Sequence, residues 1–227
     1  MDSSKQGLSA NEQIKSRERV SAHGEVYTAE REINAMLDLV KHETERIDSR
    51  FLEPACGNGN FLSSILSRKL AVVSRLYAKN KTLWQYNSLI AIGSIYGIEI
   101  LHDNVLECRE RLYNQFYEIY KKKFSNAIDE DFCLSVRYVI DKNIVWGDAL
   151  TYKQPDSEIP IVFAEWSALG NMKVKRRDFS LSNILLLQET KSEGHFSDLF
   201  SSTTDDVGVH VPLVEFTPIH YLKIHTL

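Results

Sequence analysis

Three acids and two glycines are the residues best placed to do chemistry. Glu53 closes the short apolar run Phe51-Leu52 and leads into Pro54-Ala55-Cys56-Gly57-Asn58-Gly59-Asn60-Phe61. Glycines one residue apart allow the chain to reverse sharply and let a ligand approach bare backbone, where a Cβ would collide. Glu99 closes Tyr96-Gly97-Ile98 and is followed by Ile100, and Asp148-Ala149 follows Ile144-Val145-Trp146-Gly147. In an open α/β sheet, ligands sit outside the carboxyl ends of the strands. Three acids at three strand ends therefore predict one shared binding edge. Carboxylates there accept hydrogen bonds from an ammonium, ribose hydroxyls or an exocyclic amine. A helix beginning at Asn60 or Phe61 would aim free N–H groups at the same ligand. A dinucleotide fingerprint needs a third glycine and an acid about 20 residues on. Leu62 stands at the glycine position and Glu99 lies much further along, so a dinucleotide is disfavoured.

The elements that must hold these groups alternate. Ile33, Met36, Leu37 and Val40, at i, i+3, i+4 and i+7, predict a helix with Thr28 as its N-cap and Glu30 and Glu32 in its first turn. Leu66, Leu70, Val73 and Tyr77 predict a helix of four turns or more after the glycine turn, and a second helical segment runs from Leu83 to Ile92. Val105 to Phe124 traces a long amphipathic helix with Lys121, Lys122 and Lys123 in its last turn, where cations suit the helix dipole. Residues 131–141 read as helix and Ile161 to Trp166 as a fourth strand. Strands alternating with helices predict an α/β fold, a doubly wound and mainly parallel sheet with helices on both faces.

Three segments flank this alternation. Residues 1–22 read as a polar N-terminal arm, 23–190 as the cofactor-binding domain, and 191–227 as a linker and C-terminal strands on the same domain. Beyond Ser167 come a basic cluster (Lys173, Lys175, Arg176, Arg177), the apolar run Ile184 to Leu187, a polar stretch from Gly194 to Asp206, and two strand candidates, Val211 to Phe216 and Ile219 to Ile224. The basic cluster has two readings, a phosphate-contacting patch or an ordinary solvated surface.

Bulk properties narrow the function classes. A formal charge of −4 argues against a chain that grips nucleic acid over its whole surface. Cys56, Cys108 and Cys133 have no spacing that suggests zinc or a disulfide framework, so reduced thiols are expected. No membrane span and no signal-peptide core is evident, which predicts a cytoplasmic protein.

The string Leu52-Glu53-Pro54-Ala55-Cys56-Gly57-Asn58-Gly59-Asn60-Phe61-Leu62 resembles the S-adenosylmethionine-binding motif of adenine-N6 DNA methyltransferases from bacterial restriction–modification systems. Three further segments match in that family's order. Gly24-Glu25-Val26-Tyr27-Thr28 resembles the segment that touches the methionine end of the cofactor, Tyr96 to Ile100 the strand whose acid binds the ribose, and Gly147-Asp148-Ala149-Leu150 the turn that meets the adenine ring. The matches run from Gly24 to Leu150, more than half of the chain.

By that resemblance the fold is of the Rossmann-like S-adenosylmethionine-dependent methyltransferase type. Thr28, with Tyr27 beside it, and the turn from Pro54 to Asn60 would hold the methionine moiety, Glu99 the ribose and Asp148 the adenine amine, with Phe61 packing against the turn. Tyr27 and Phe61 also read as plain core aromatics. Double-stranded DNA would be the substrate, with a specificity or other restriction–modification subunit as partner.

The family's catalytic signature, an Asn, Asp or Ser followed by two prolines and an aromatic, is missing. Ala164-Glu165-Trp166-Ser167 stands in its register, and the five prolines, at 54, 155, 160, 212 and 218, are never adjacent. Glu165 and Trp166 either replace the signature or end a strand and pack the core. The resemblance is therefore to a truncated or degenerate relative. It leaves three functions open: a DNA methyltransferase or modification-subunit component, a non-catalytic S-adenosylmethionine-binding module, and methylation of a small molecule or protein on the same cofactor fold.

Overall fold

A computed structural model of the chain describes residue 19 and residues 28–182 and 211–227. Tyr27, most of the Gly24 to Thr28 segment, the arm except Arg19, the Ile184 to Leu187 run and the Gly194 to Asp206 stretch lie outside the described residues.

Helix α1 (Glu30–Leu39) buries Ile33 and Leu37 and carries Glu30 and Glu32 in its first turn. Two expectations shift here. The N-cap is Ala29 rather than Thr28, without a side-chain hydrogen bond. Val40 leaves helical dihedrals (φ −116), so the buried stripe stops a turn early and Met36 and Val40 stay exposed. A short helix α2 (Lys41–Thr44) follows and was not predicted.

Strand β1 (Phe51–Glu53) is half-buried and feeds helix α3 (Asn60–Leu76) through the glycine turn. Helix α4 (Lys81–Gly93) begins at Asn80, whose side chain accepts the Leu83 N–H. Nine of its residues are buried, on every side, because helices and strands both pack around it. Strand β2 (Ile95–Glu99) is wholly buried. Helix α5 (His102–Phe124) follows, then α6 (Glu130–Asn143), capped by Asp129, and strand β3 (Ile144–Trp146).

These three strands form a parallel sheet in the order β1-β2-β3. Phe51 pairs with Ile95, Glu53 with Gly97 and Glu99 with Trp146. Helices cover one face: Ile95 and Ile144 belong to a core with Leu66 and Leu70 of α3, Leu89 of α4, Phe116 of α5 and Val139 of α6. A mixed α/β fold with a parallel sheet is thus present.

The other face departs from the doubly wound expectation. Tyr96 and Ile98 pack there with Ile161, Phe163, Phe179 and Leu181, and Leu52 and Val145 flank them. The covering unit is a hairpin of β4 (Val162–Leu169) and β5 (Lys173–Ser180), not a helix. Its first strand runs against β2. Ile161 lies beside Gly147, Phe163 sets its ring edge-on to Tyr96 at 5.3 Å, and Trp166 reaches Gly93, just before β2 begins. A parallel return needs a crossover of a dozen or more residues, usually a helix. The connection after β3 spends its length on bridges from Asp148 to Lys153 and from Lys153 to Pro160, so the chain turns back instead.

The hairpin turn places Asn171 and Met172 both at positive φ (59 and 58), as a type I′ turn requires. Two short strands, β6 (Val214–Glu215) and β7 (Ile219–His220), add to β5. The second predicted C-terminal strand is cut short by a 3₁₀ helix (Tyr221–Thr226). Tyr221 and Ile224 enter the main core, and the Tyr221 hydroxyl donates to Gln85 Oε1 at 2.8 Å.

Candidate functional site

The carboxyl ends of β1, β2 and β3 open onto a cavity of about 650 Å³. Thirteen of the fifteen residues expected from the sequence line it: Thr28, Glu53, Pro54, Ala55, Cys56, Gly57, Asn58, Asn60, Phe61, Glu99, Ile100, Asp148 and Ala149. Gly59 does not, and Tyr27 lies outside the described residues. The sequence reading missed Ile33 and Met36 of α1, Leu101 and Asn104 at the start of α5, Gly147 and Leu150. Ile33 and Met36 carry the i, i+3 signal of a core face, and nothing in that signal separates a core from a cavity wall. Leu150 closes the Gly147 to Leu150 match and is 90% exposed at the cavity's edge.

The glycine turn is held from several sides. The Cys56 N–H donates to the Ile98 carbonyl at 2.9 Å, tying the turn to β2. Arg111 of α5 donates from Nε to the Asn58 carbonyl at 2.8 Å. Gly59 caps α3 at φ 88, and a Cβ there would lie 2.6 Å from the Cys108 Sγ. Its contribution is backbone geometry and clearance. A Cβ on Gly97 would meet Cys56 Sγ and Leu62 Cδ1, both at 2.9 Å, so this bare strand position lets the turn settle onto β2.

Each acid sits in a different environment. Glu99 is buried, and its two carboxylate oxygens accept the Gly57 N–H and the Leu101 N–H, each at 2.8 Å. It thus joins the glycine turn to the start of α5. Each oxygen keeps lone-pair capacity for a further donor. Glu53 is half-buried; burial pushes its pKa up, opposed by a hydrogen bond from the Ala55 backbone. Asp148 accepts the Leu150 N–H at 2.8 Å and shapes the turn after β3. Cys56 and Cys108 are free thiols in contact; their hydrogen bond and burial raise the Cys56 pKa, which makes it an unreactive packing group.

Glu165 and Trp166 are structural. Neither lines the cavity. The Glu165 carboxylate is buried and receives Arg50 at 2.7 Å, Arg177 at 2.8 Å and the Ser167 hydroxyl at 2.9 Å. Trp166 donates from Nε1 to Asn143 Oδ1 at 2.9 Å and packs edge-on to Tyr138. The basic cluster is likewise mostly occupied. Lys175 pairs with Glu215, Arg177 with Glu165, and Arg176 makes a bidentate pair with Asp178, both bonds 2.7 Å, in a buried setting. Strand pairing, rather than phosphate contact, accounts for those three cations.

Among the described residues no group of three or more His, Cys, Asp or Glu side chains could hold a metal ion, and no helix is long and apolar enough to cross a membrane. Comparison with protein-family models, with curated proteins and with solved structures returns no match.

Proposed function

We propose that the chain binds S-adenosylmethionine in the cavity at the ends of β1, β2 and β3, as a protein of the adenine-N6 DNA methyltransferase type. One observation carries this reading. Glu99, Asp148 and the Glu53 to Asn60 segment (Gly59 excepted) are distant from one another in sequence, and all three line a single cavity. Its volume falls within the 300–1,000 Å³ or so typical of small-molecule sites.

The residues present fit the cofactor. The N–H groups at the start of α3 and the Glu53 carboxylate would take the methionine end, Glu99 has acceptor capacity for ribose hydroxyls, and Asp148 for an exocyclic amine. When bound, the cofactor would supply an electrophilic methyl group. The chain's own residues bind and orient it.

A second reading, a non-catalytic cofactor-binding module, is favoured by a specific observation. The only acid and aromatic in register with the missing signature, Glu165 and Trp166, are committed to Arg50, Arg177 and Asn143. A buried acid held between two arginines does not accept an adenine amine. Under the enzymatic reading, the acceptor-activating groups come from outside the described residues or from a partner chain.

Calorimetry with S-adenosylmethionine tests the cofactor reading, and no heat at millimolar ligand would end it. Transfer of labelled methyl groups to duplex DNA, by the chain alone and with a candidate partner subunit, separates enzyme from module.

A further inference from the structure

Three helix ends meet away from the cavity. Trp84, in the first turn of α4, stacks on Tyr120 at 5.5 Å and lies edge-on to Phe124 at 5.4 Å, both near the end of α5. Its Nε1–H donates to Ser74 Oγ, near the end of α3, at 3.0 Å. Around these rings stand six exposed or half-exposed cations: Arg75 in the last turn of α3, Lys79 and Lys81 where the chain enters α4, and Lys121, Lys122 and Lys123 in the last turn of α5. Arg50, Arg68, Arg109 and Arg137 each have a carboxylate partner, whereas none of these six is in a salt bridge among the described residues.

Acids are scarce there. Between Glu53 and Glu99 the chain has none. On the other flank are Glu118 and the start of α6, where Asp129 accepts the Phe132 N–H, Asp131 stands 3.9 Å from His225 and Glu130 is exposed. Helix dipoles explain Arg75 and the α5 lysines, which sit at C-termini. They do not explain Lys81, which opens α4 with no acid in its first turn, where a cation is disfavoured.

We infer that this surface binds the phosphate backbone of a nucleic-acid duplex without reading its bases. Five of the six cations are lysines, hydrated point charges that suit a line of phosphates, whereas carboxylates on an acidic protein favour the arginine fork. A lipid surface would want apolar side chains beside the charges. Among the described residues of these helix ends, Leu76 alone is an exposed large hydrophobe. The cavity is lined by the first turns of α3 and α5, helices of 17 and 23 residues. At 1.5 Å per residue they are about 25 and 34 Å long. A duplex held at their far ends is anchored away from the cavity, so the surface tethers and does not present a base. The inference stands apart from the cofactor reading.

Each phosphate contact contributes about 0.9 to the fall of log affinity with log salt, so about four contacts predict a slope of about −3.6. Fluorescence anisotropy of the full chain with two labelled duplexes of equal length and unrelated sequence measures it. The expected result is equal binding of both at low salt with that slope. A triple variant, K121Q with K122Q and K123Q, should lose about tenfold in affinity and part of the slope, and adding K79Q and K81Q should remove most of the rest. A charge-matched control, K41Q with K142Q and K153Q, should lose much less. No binding at low salt, a marked preference for one duplex, an equal loss in the control, or tighter binding to phosphatidylserine vesicles or polyglutamate than to either duplex overturns the inference. None of these outcomes bears on calorimetry with S-adenosylmethionine, which tests the cofactor reading by itself.

Discussion

Arg50 and Glu165, 115 positions apart in sequence, meet at 2.7 Å between the entrance of β1 and the middle of β4. The carboxylate is buried and shared with Arg177, so it is an internal latch between the parallel sheet and the hairpin. Removing one partner from a buried ionic set typically costs about 3–5 kcal/mol, since the remaining charges are stranded. Glu165→Ala should therefore lower the urea midpoint strongly. S-adenosylmethionine affinity, read under native conditions, should stay within about twofold, because an unmoved cavity changes binding free energy by well under 1 kcal/mol. A large affinity loss in a well-folded variant would put Glu165 back in the site.

Lys69 is fully buried in the apolar stripe of α3, where its ammonium donates to the carbonyls of Arg46 (2.8 Å), Ile47 (3.1 Å) and Ser49 (2.5 Å). Lys69→Met keeps the volume and orphans three acceptors, at about 1–3 kcal/mol for each that water cannot reach. Burial lowers the lysine pKa to about 7. The folded state then releases the proton at a lower pH than the unfolded chain, so folding stability should rise as pH climbs from about 7 towards the ordinary lysine value of 10.5. Denaturation midpoints across that window should show the slope in the native sequence and a flatter profile in Lys69→Met.

Gly59→Ala forces a side chain into a left-handed conformation and against Cys108. The backbone component alone is about 1–2 kcal/mol. Combining it with Cys108→Ala should recover the steric part only, leaving the φ component visible in a double-mutant cycle. Full recovery would mean that the backbone at this position is unstrained.

Glu53 is half-buried with a raised pKa. A folded-state value above the unfolded one means that this group's stabilising contribution is present at low pH and lost as pH rises through the folded value. Binding of a cationic ligand runs the other way, because it needs the ionised carboxylate. Affinity for S-adenosylmethionine should fall as pH drops from neutral through that raised value, and Glu53→Gln should flatten the profile.

Glu99→Gln replaces an acceptor that bonds two backbone N–H groups with an amide that can serve only one of them well. A hydrogen bond to a charged group contributes about 1.5–3 kcal/mol. Both the glycine turn and the ligand should feel the loss, seen as a lower melting temperature together with roughly tenfold weaker binding, equivalent to about 1.4 kcal/mol.

Much of this arrangement was legible in the sequence, and the reasons are local. Helices α3 and α5 announce themselves through apolar period, and acids at strand ends are enough to anticipate that Glu53, Glu99 and Asp148 converge. What stayed hidden depends on partners far away in the chain. Strand β5, Lys-Val-Lys-Arg-Arg-Asp-Phe-Ser, reads as a charged surface because two of the partners that permit its burial, Tyr138 for Arg176 and Glu165 for Arg177, lie on other elements. The reversal at Asn171-Met172 places a methionine where a glycine is usual at positive φ, so the Gly170-Asn171 pair is a weaker turn signal than Asn-Gly would be. Lys69, a lysine within an apolar stripe, becomes intelligible once the carbonyls preceding β1 are seen around it.

The crossing of β4 over β2 also bears on the order of assembly during synthesis. Contacts among the first three strands and their helices join residues already made by the time Trp146 is added. The sheet face under Phe163 and the latch at Arg50 must wait for Glu165 and Arg177. Closing such long loops is slow relative to local helix formation. A nascent chain halted after β3 would hold the acids and the glycine turn, yet leave Tyr96 and Ile98 uncovered, a sticky surface that invites chaperones before the binding site is complete.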